Sequence, residues 1–213
     1  MRTSPAVISL ALSSLLLSGC GGGEQEPTRE TTNTPQATGQ SPGQPTAQQT
    51  TAASPRPTSI SETFEAYSAG AAAVTYDEEA VPAGSRVEVN TEAEDGGTAF
   101  TLRVSGLQPD RDYGAHVHTK PCGAAPDDSG PHYQNEEDPQ QPSTDPKYAN
   151  PDNEVWLDFT TDADGSAEVD TEVDWVPRQG EANSIVIHAE HTHTEPGHAG
   201  QAGDRLACVN VPF

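Results

Sequence analysis

Positive charge is scarce in this chain. Ten lysines and arginines face 33 aspartates and glutamates over 213 residues, a formal net charge of -23. A nucleic-acid backbone is bound through a surplus of basic side chains, so this balance excludes a nucleic-acid partner. Long apolar runs are missing too. The stretch Ala6–Leu17 is too short to span a bilayer as a stable helix. Helical periodicity is almost absent, and that excludes a helix bundle. Cysteine is limited to three residues, and no histidine occurs before His116. N-terminal to Gly114, Cys20 is the only cysteine.

The compartment is read from the first twenty residues. One positive charge at Arg2 precedes the apolar stretch, and small residues lead into Leu17-Ser18-Gly19-Cys20. This is the layout of a cleaved export signal. Its end resembles the lipobox of bacterial lipoproteins, whose cysteine is lipidated and becomes the first mature residue. The alternative is a plain signal peptide with an incidental cysteine. The expectation is a signal peptide over 1–19 and a lipid anchor on Cys20, holding the protein on the outer face of the cell membrane. If Cys20 carries lipid, Cys122 and Cys208 remain to form one disulfide in an oxidising compartment. Closing that loop would stabilise the fold by ~4–5 kcal/mol on the chain-entropy model.

From Gly21 to Ser59 the chain is Thr-, Gln-, Pro- and Gly-rich, with no Leu, Val, Phe, Trp or Tyr. Too little apolar surface is available there to offset ordering entropy, so 20–61 is expected to be a disordered tether. Its reach would be roughly 35 Å. The remainder, 62–213, suffices for one domain. Alternating runs recur between turn signals at Ala72–Tyr76, Arg86–Thr91, Ala99–Val104, Tyr113–His118, Val155–Thr160, Ser166–Asp170, Ser184–His188 and Leu206–Val211. Asp162-Ala163-Asp164-Gly165 reads as a tight turn between two of them. These runs predict an all-β, eight-stranded Greek-key β-barrel or sandwich. Two long irregular segments, Thr119–Asn153 and Ala189–Asp204, each follow a histidine-bearing strand, which marks them as functional loops.

All seven histidines lie between 116 and 198. On a strand, residues i and i+2 share a face, so His116 and His118 can present both rings to one ion. Alone, His-x-His is equally a surface or core feature. Three further pieces add weight: Gly130-Pro131-His132, Ile185-Val186-Ile187-His188, and Gly203-Asp204-Arg205-Leu206-Ala207-Cys208. Together with Gly114-Ala115-His116-Val117-His118 and Cys122, they resemble, in order along the chain, the motifs of copper–zinc superoxide dismutases. The resemblance implies a Greek-key barrel, copper held by His116, His118, His132 and His188, a Cys122–Cys208 disulfide, and Arg205 guiding the superoxide substrate. It assigns His132 a catalytic part as well.

One departure stands out. In that family the histidine matching His132 bridges copper to zinc, and the following loop supplies zinc ligands. Here Tyr133–Asn153 holds no histidine, only carboxylates and amides such as Glu136, Glu137, Asp138, Asp145 and Asp152. These are poor substitutes for imidazole at zinc. The chain therefore resembles the copper-only branch, with copper as cofactor and zinc absent. A ligating histidine needs its second nitrogen held, so Glu154, or an acid in Glu136–Asp138, is expected to accept a hydrogen bond from a copper-site histidine. His191, His193 and His198 read either as an accessory metal site or as a solvated loop. The rival reading of the whole is a copper-binding or copper-delivery lipoprotein with little turnover.

Overall fold

A computed structural model describes residues 57–213. The signal peptide, Cys20 and most of the expected tether lie outside the described residues. Ten strands occur among the described residues: β1 (Thr58–Thr63), β2 (Glu65–Ala66), β3 (Ala73–Thr75), β4 (Arg86–Glu94), β5 (Gly97–Ser105), β6 (Asp112–His118), β7 (Phe159–Thr160), β8 (Ala167–Val173), β9 (Ser184–His188) and β10 (Arg205–Asn210). Helix among the described residues is limited to one 3-10 turn, Pro126–Ser129.

The strands form two sheets. One has the order β1-β4-β5-β8, the other β2-β3-β10-β9-β6-β7. Non-consecutive neighbours, β3 beside β10 and β9 beside β6, are the Greek-key crossings that the all-β reading requires. The core fills the space between the sheets, from Val87, Val89, Phe100 and Leu102 on one side to Tyr113, Ala115, Val117, Ile185, Ile187 and Val209 on the other. Alternation built this: Gly97–Ser105 is buried at every second residue.

All eight expected strands are present, several with shifted ends, and β1 and the two-residue β2 precede them. The β1 strand starts at Thr58 and so runs four residues into the stretch read as tether, 20–61. Its sequence, Thr-Ser-Ile-Ser-Glu-Thr, is polar because β1 is an edge strand. Only Ile60 packs against the core. A strand with so little apolar content escapes a reading based on composition. The expected run Val155–Thr160 is paired in β7 only at its end, but an isolated bridge joins His116 to Trp156.

Candidate metal centre

The sheet register brings the four histidines together. His116 and His118 lie on β6, facing away from the core face made by Tyr113, Ala115 and Val117. On one flank β9 pairs with β6, and its last residue, His188, stands opposite Gly114. On the other flank His132 bridges to His118. Beyond β9, Arg205 of β10 pairs with His188. Each of the four imidazoles contributes a nitrogen to a group whose ligand atoms all lie within 4.8 Å of one another.

Gly114 permits the approach of the second loop. A Cβ there would meet the Glu190 carbonyl oxygen at 2.6 Å and the Ala202 methyl at 2.8 Å. Any side chain at Gly114 would push the 189–204 segment off the strand that carries His116 and His118.

Every ring has one nitrogen held from outside. The Nδ1 of His118 is 2.9 Å from the Gly130 carbonyl, and that of His188 is 3.4 Å from the Gly203 carbonyl. His132 places Nδ1 2.9 Å from Glu154 Oε2. A carbonyl or carboxylate only accepts, so each Nδ1 carries the proton and each Nε2 is a free lone pair. The Nε2 atoms of His118 and His188 are 3.3 Å apart.

His116 is reversed. Its Nε2 is 2.7 Å from the Thr192 hydroxyl, whose own proton goes to Asp158 Oδ1 at 2.6 Å. Having donated to a carboxylate, that hydroxyl can only accept from His116. The lone pair therefore falls on Nδ1 of His116, and this is the one buried side-chain polar atom among the described residues that has no partner. A buried imidazole nitrogen without a partner is costly unless it is a ligand. The four free nitrogens, all imidazole, form a donor set suited to copper. The residues fit the metal.

Electrostatics favour the ligand form. Burial pushes the pKa of His116 and His118 well below the ordinary histidine value, with the neighbouring His132 adding to it. Burial likewise lowers His188 to about 3. These three rings are neutral at physiological pH, as metal binding requires.

The Glu154 carboxylate, 1% exposed, is fully occupied. Its Oε2 also accepts the Trp156 indole N–H at 2.8 Å, and its Oε1 accepts the Gln134 amide at 2.7 Å. Asp138 instead accepts the Ser143 hydroxyl and the Gln140 backbone N–H, so this acid is engaged within its own loop. Three residues holding the site were not foreseen: Thr192, Asp158 and Gln134. Trp156 is only partly buried and sits beside His116 with ring centroids 6.2 Å apart. Part of this was readable. Glu154, Trp156 and Asp158 alternate along a strand-like run, which puts all three on one face.

Arg205 is seated by the segment around the disulfide. Cys122 and Cys208 are bonded, tying the first loop to β10. The Arg205 guanidinium donates to the Ser129 hydroxyl at 2.9 Å and the Pro126 carbonyl at 3.2 Å, both on the 3-10 turn. Asp127 is 3.8 Å away and 97% exposed, so it screens the charge little. A cavity of about 480 Å³ is lined by His132, His188, Glu154, Arg205, His193 and His198 among others. The three loop histidines are separated. His191 turns its Nε2 to the Phe159 carbonyl at 3.1 Å, whereas His193 and His198 face this cavity with ring centroids 6.4 Å apart. The trio is not one site.

The copper/zinc superoxide dismutase family model matches residues 84–211, more than half of the chain. The chain belongs to that family. Among solved structures it is similar to the Cu/Zn superoxide dismutase from Brucella abortus, at 20% identity and TM-score 0.49, covering 74% of this chain and 100% of that one. It is also similar to a mutant of a SOD-like protein from Bacillus subtilis, at 15% identity and TM-score 0.45, covering 60% and 89%. No curated protein matches the sequence.

Proposed function

We propose that this protein is a superoxide dismutase that works with copper alone, anchored by lipid on Cys20 outside the cytoplasm. One observation carries the reading. Four imidazoles bring one ligand nitrogen each within 4.8 Å of one another, and Arg205 lines the cavity that His132 and His188 also line. His116 through Nδ1, and His118, His132 and His188 through Nε2, would hold the metal. The chemistry copper supplies there is one-electron exchange, by which two superoxide ions and two protons become oxygen and hydrogen peroxide.

The chain's own residues do the rest. With a net charge of -23 the protein repels a small anion at long range. Salt screens that field beyond about 8 Å, so the guanidinium of Arg205, permanently charged, governs the last approach. His132, with 17% of its side chain exposed, is open to the cavity and is the ring positioned to exchange a proton there. Glu154 fixes the other proton of that ring on Nδ1.

The copper-only reading rests on the same contact. The Nδ1 of His132, the nitrogen left over for a bridged zinc, is engaged by Glu154. The extracytoplasmic reading rests on the Cys122–Cys208 bond and the Leu17–Cys20 motif. Pulse radiolysis of the copper-loaded, zinc-free protein tests the function. Superoxide decay near the diffusional limit supports the enzyme; tight copper binding without turnover would assign a copper carrier instead. Mass spectrometry of the mature N-terminal peptide tests for lipid on Cys20.

A further inference from the structure

The segment between β9 and β10 carries a second set of donors outside the centre described above. It is an ordered ribbon. Glu190 N–H bonds the Ala202 carbonyl at 3.1 Å, His193 N–H the Gln201 carbonyl at 2.8 Å, and Gly200 N–H the His193 carbonyl at 2.9 Å. Its tip is docked on the opposite loop through Gly197 N–H to the Thr144 carbonyl at 3.2 Å. His193 and His198 are therefore held by backbone bonds, and both face the cavity that contains His132 and His188.

On this ribbon, Nε2 of His193 stands 3.8 Å from Glu190 Oε1. Two ligands each bound about 2.0–2.2 Å from one ion lie roughly 3–4 Å apart. Glu190 and His193 already stand at that separation. His198 keeps Nδ1 on the Gln201 side chain at 2.9 Å, which leaves Nε2 as its ligand atom. Its ring is exposed, with its centroid 6.4 Å from that of His193, so a side-chain rotation would bring it onto the same ion.

The inner centre has an entry problem. His116, His118 and His188 are 0%, 0% and 4% exposed, so a hydrated ion must lose its water shell before those ligands can replace it. Donors on the wall of the same cavity would supply intermediate ligands, and the acidic chain concentrates cations around the mouth.

We propose that Glu190, His193 and His198 form a loading site that takes up copper from solution and passes it to the four-histidine centre. This rests on the reading of that centre as a copper site. The step is ligand exchange without electron transfer: carboxylate and imidazole bonds of the outer site break as imidazole bonds of the inner site form.

The test uses the metal-free full-length protein titrated with Cu(II) and followed by electron paramagnetic resonance. Two classes of copper are expected, a tight one with four nitrogens and a weaker one with mixed nitrogen and oxygen. The double variant His193→Ala/His198→Ala should lose the weaker class and keep the tight one. It should also fill the tight site about tenfold more slowly at limiting copper, because the high local concentration of metal is gone. Glu190→Gln, which leaves both histidines in place, should slow filling to a lesser degree. A double variant that retains both classes and fills at the wild-type rate overturns the proposal, as does a wild-type titration with a single class. Superoxide decay on the filled wild type is a separate arm: its failure removes the dismutase reading and leaves the loading result standing.

Discussion

Glu154 accepts the Nδ1 proton of His132 at 2.9 Å across 22 residues of chain, and the same oxygen accepts the Trp156 indole proton. A buried carboxylate is thus held by three donors, the His132 ring N–H, the Trp156 indole N–H and the Gln134 side-chain amide. Replacing it with alanine frees the His132 ring and strands the donors of Trp156 and Gln134. Loss of such an outer partner costs about 10–100-fold in metal affinity. We expect Glu154→Ala to lose copper affinity by that order in competition with a chelator. Unchanged affinity and turnover would remove Glu154 from the site.

Thr192 sets the tautomer of His116 through a single hydroxyl. Thr192→Val keeps the shape and deletes the acceptor for Nε2–H, leaving a buried donor unsatisfied at a cost of about 1–3 kcal/mol. The metal-free variant should unfold at lower urea, and its copper spectrum should broaden as the ring loses its fixed orientation. Asp158→Asn should act in the same direction, because Asp158 also accepts the Thr192 backbone N–H at 2.7 Å. An unaltered spectrum in both variants would show that β6 alone orients His116.

Arg205→Gln removes the cationic side chain that lines the cavity. Charge steering at a cleft accounts for roughly 10–10³ in association rate. A fall of about tenfold in superoxide decay rate is expected, with a flatter dependence on ionic strength. Arg205→Lys should recover part of the rate, since the charge remains while the fork to Ser129 and Pro126 does not. Equal salt slopes in wild type and Arg205→Gln would place the steering elsewhere.

The metal-free protein should weaken in acid in a defined window. Burial lowers His188 to about 3 in the folded state and pushes His116 and His118 well down, against about 6.5 when unfolded. Below 6.5 the unfolded chain takes up protons that the folded one refuses. Stability is therefore fully present above pH 6.5 and falls as pH drops toward 3. Urea midpoints at pH 7.5, 5.5 and 4.5 should decline in that order. Copper should move the onset lower, because bound ligands resist protonation. A flat profile from 7.5 to 4.5 would contradict the buried, neutral assignment.

The sheets were legible because most strands bury one face and announce it by alternation, as Ala99–Val104 does. The β1 strand was not, since an edge strand with one packed residue, Ile60, carries almost no apolar signal. The four copper-site histidines were legible through motifs. Their outer partners divided. A carboxylate such as Glu154 stands out near a histidine site, and three donors converge on it. A threonine between two histidines does not stand out, and Thr192 gains its part only when the 189–204 ribbon folds back on Asp158, 34 residues away. Spacing also grouped His191 with His193, yet 191–194 is not a strand, so the two need not share a face, and His191 turns to the Phe159 carbonyl.

The covalent tie between Cys122 and Cys208 gives the molecule an order of assembly. It fastens the turn that carries Ser129, and with it the seat of Arg205. A newly made chain with free thiols would lack the fixed cation beside its histidine cluster. On the dismutase reading proposed above, competence would then arrive with oxidation of these two thiols.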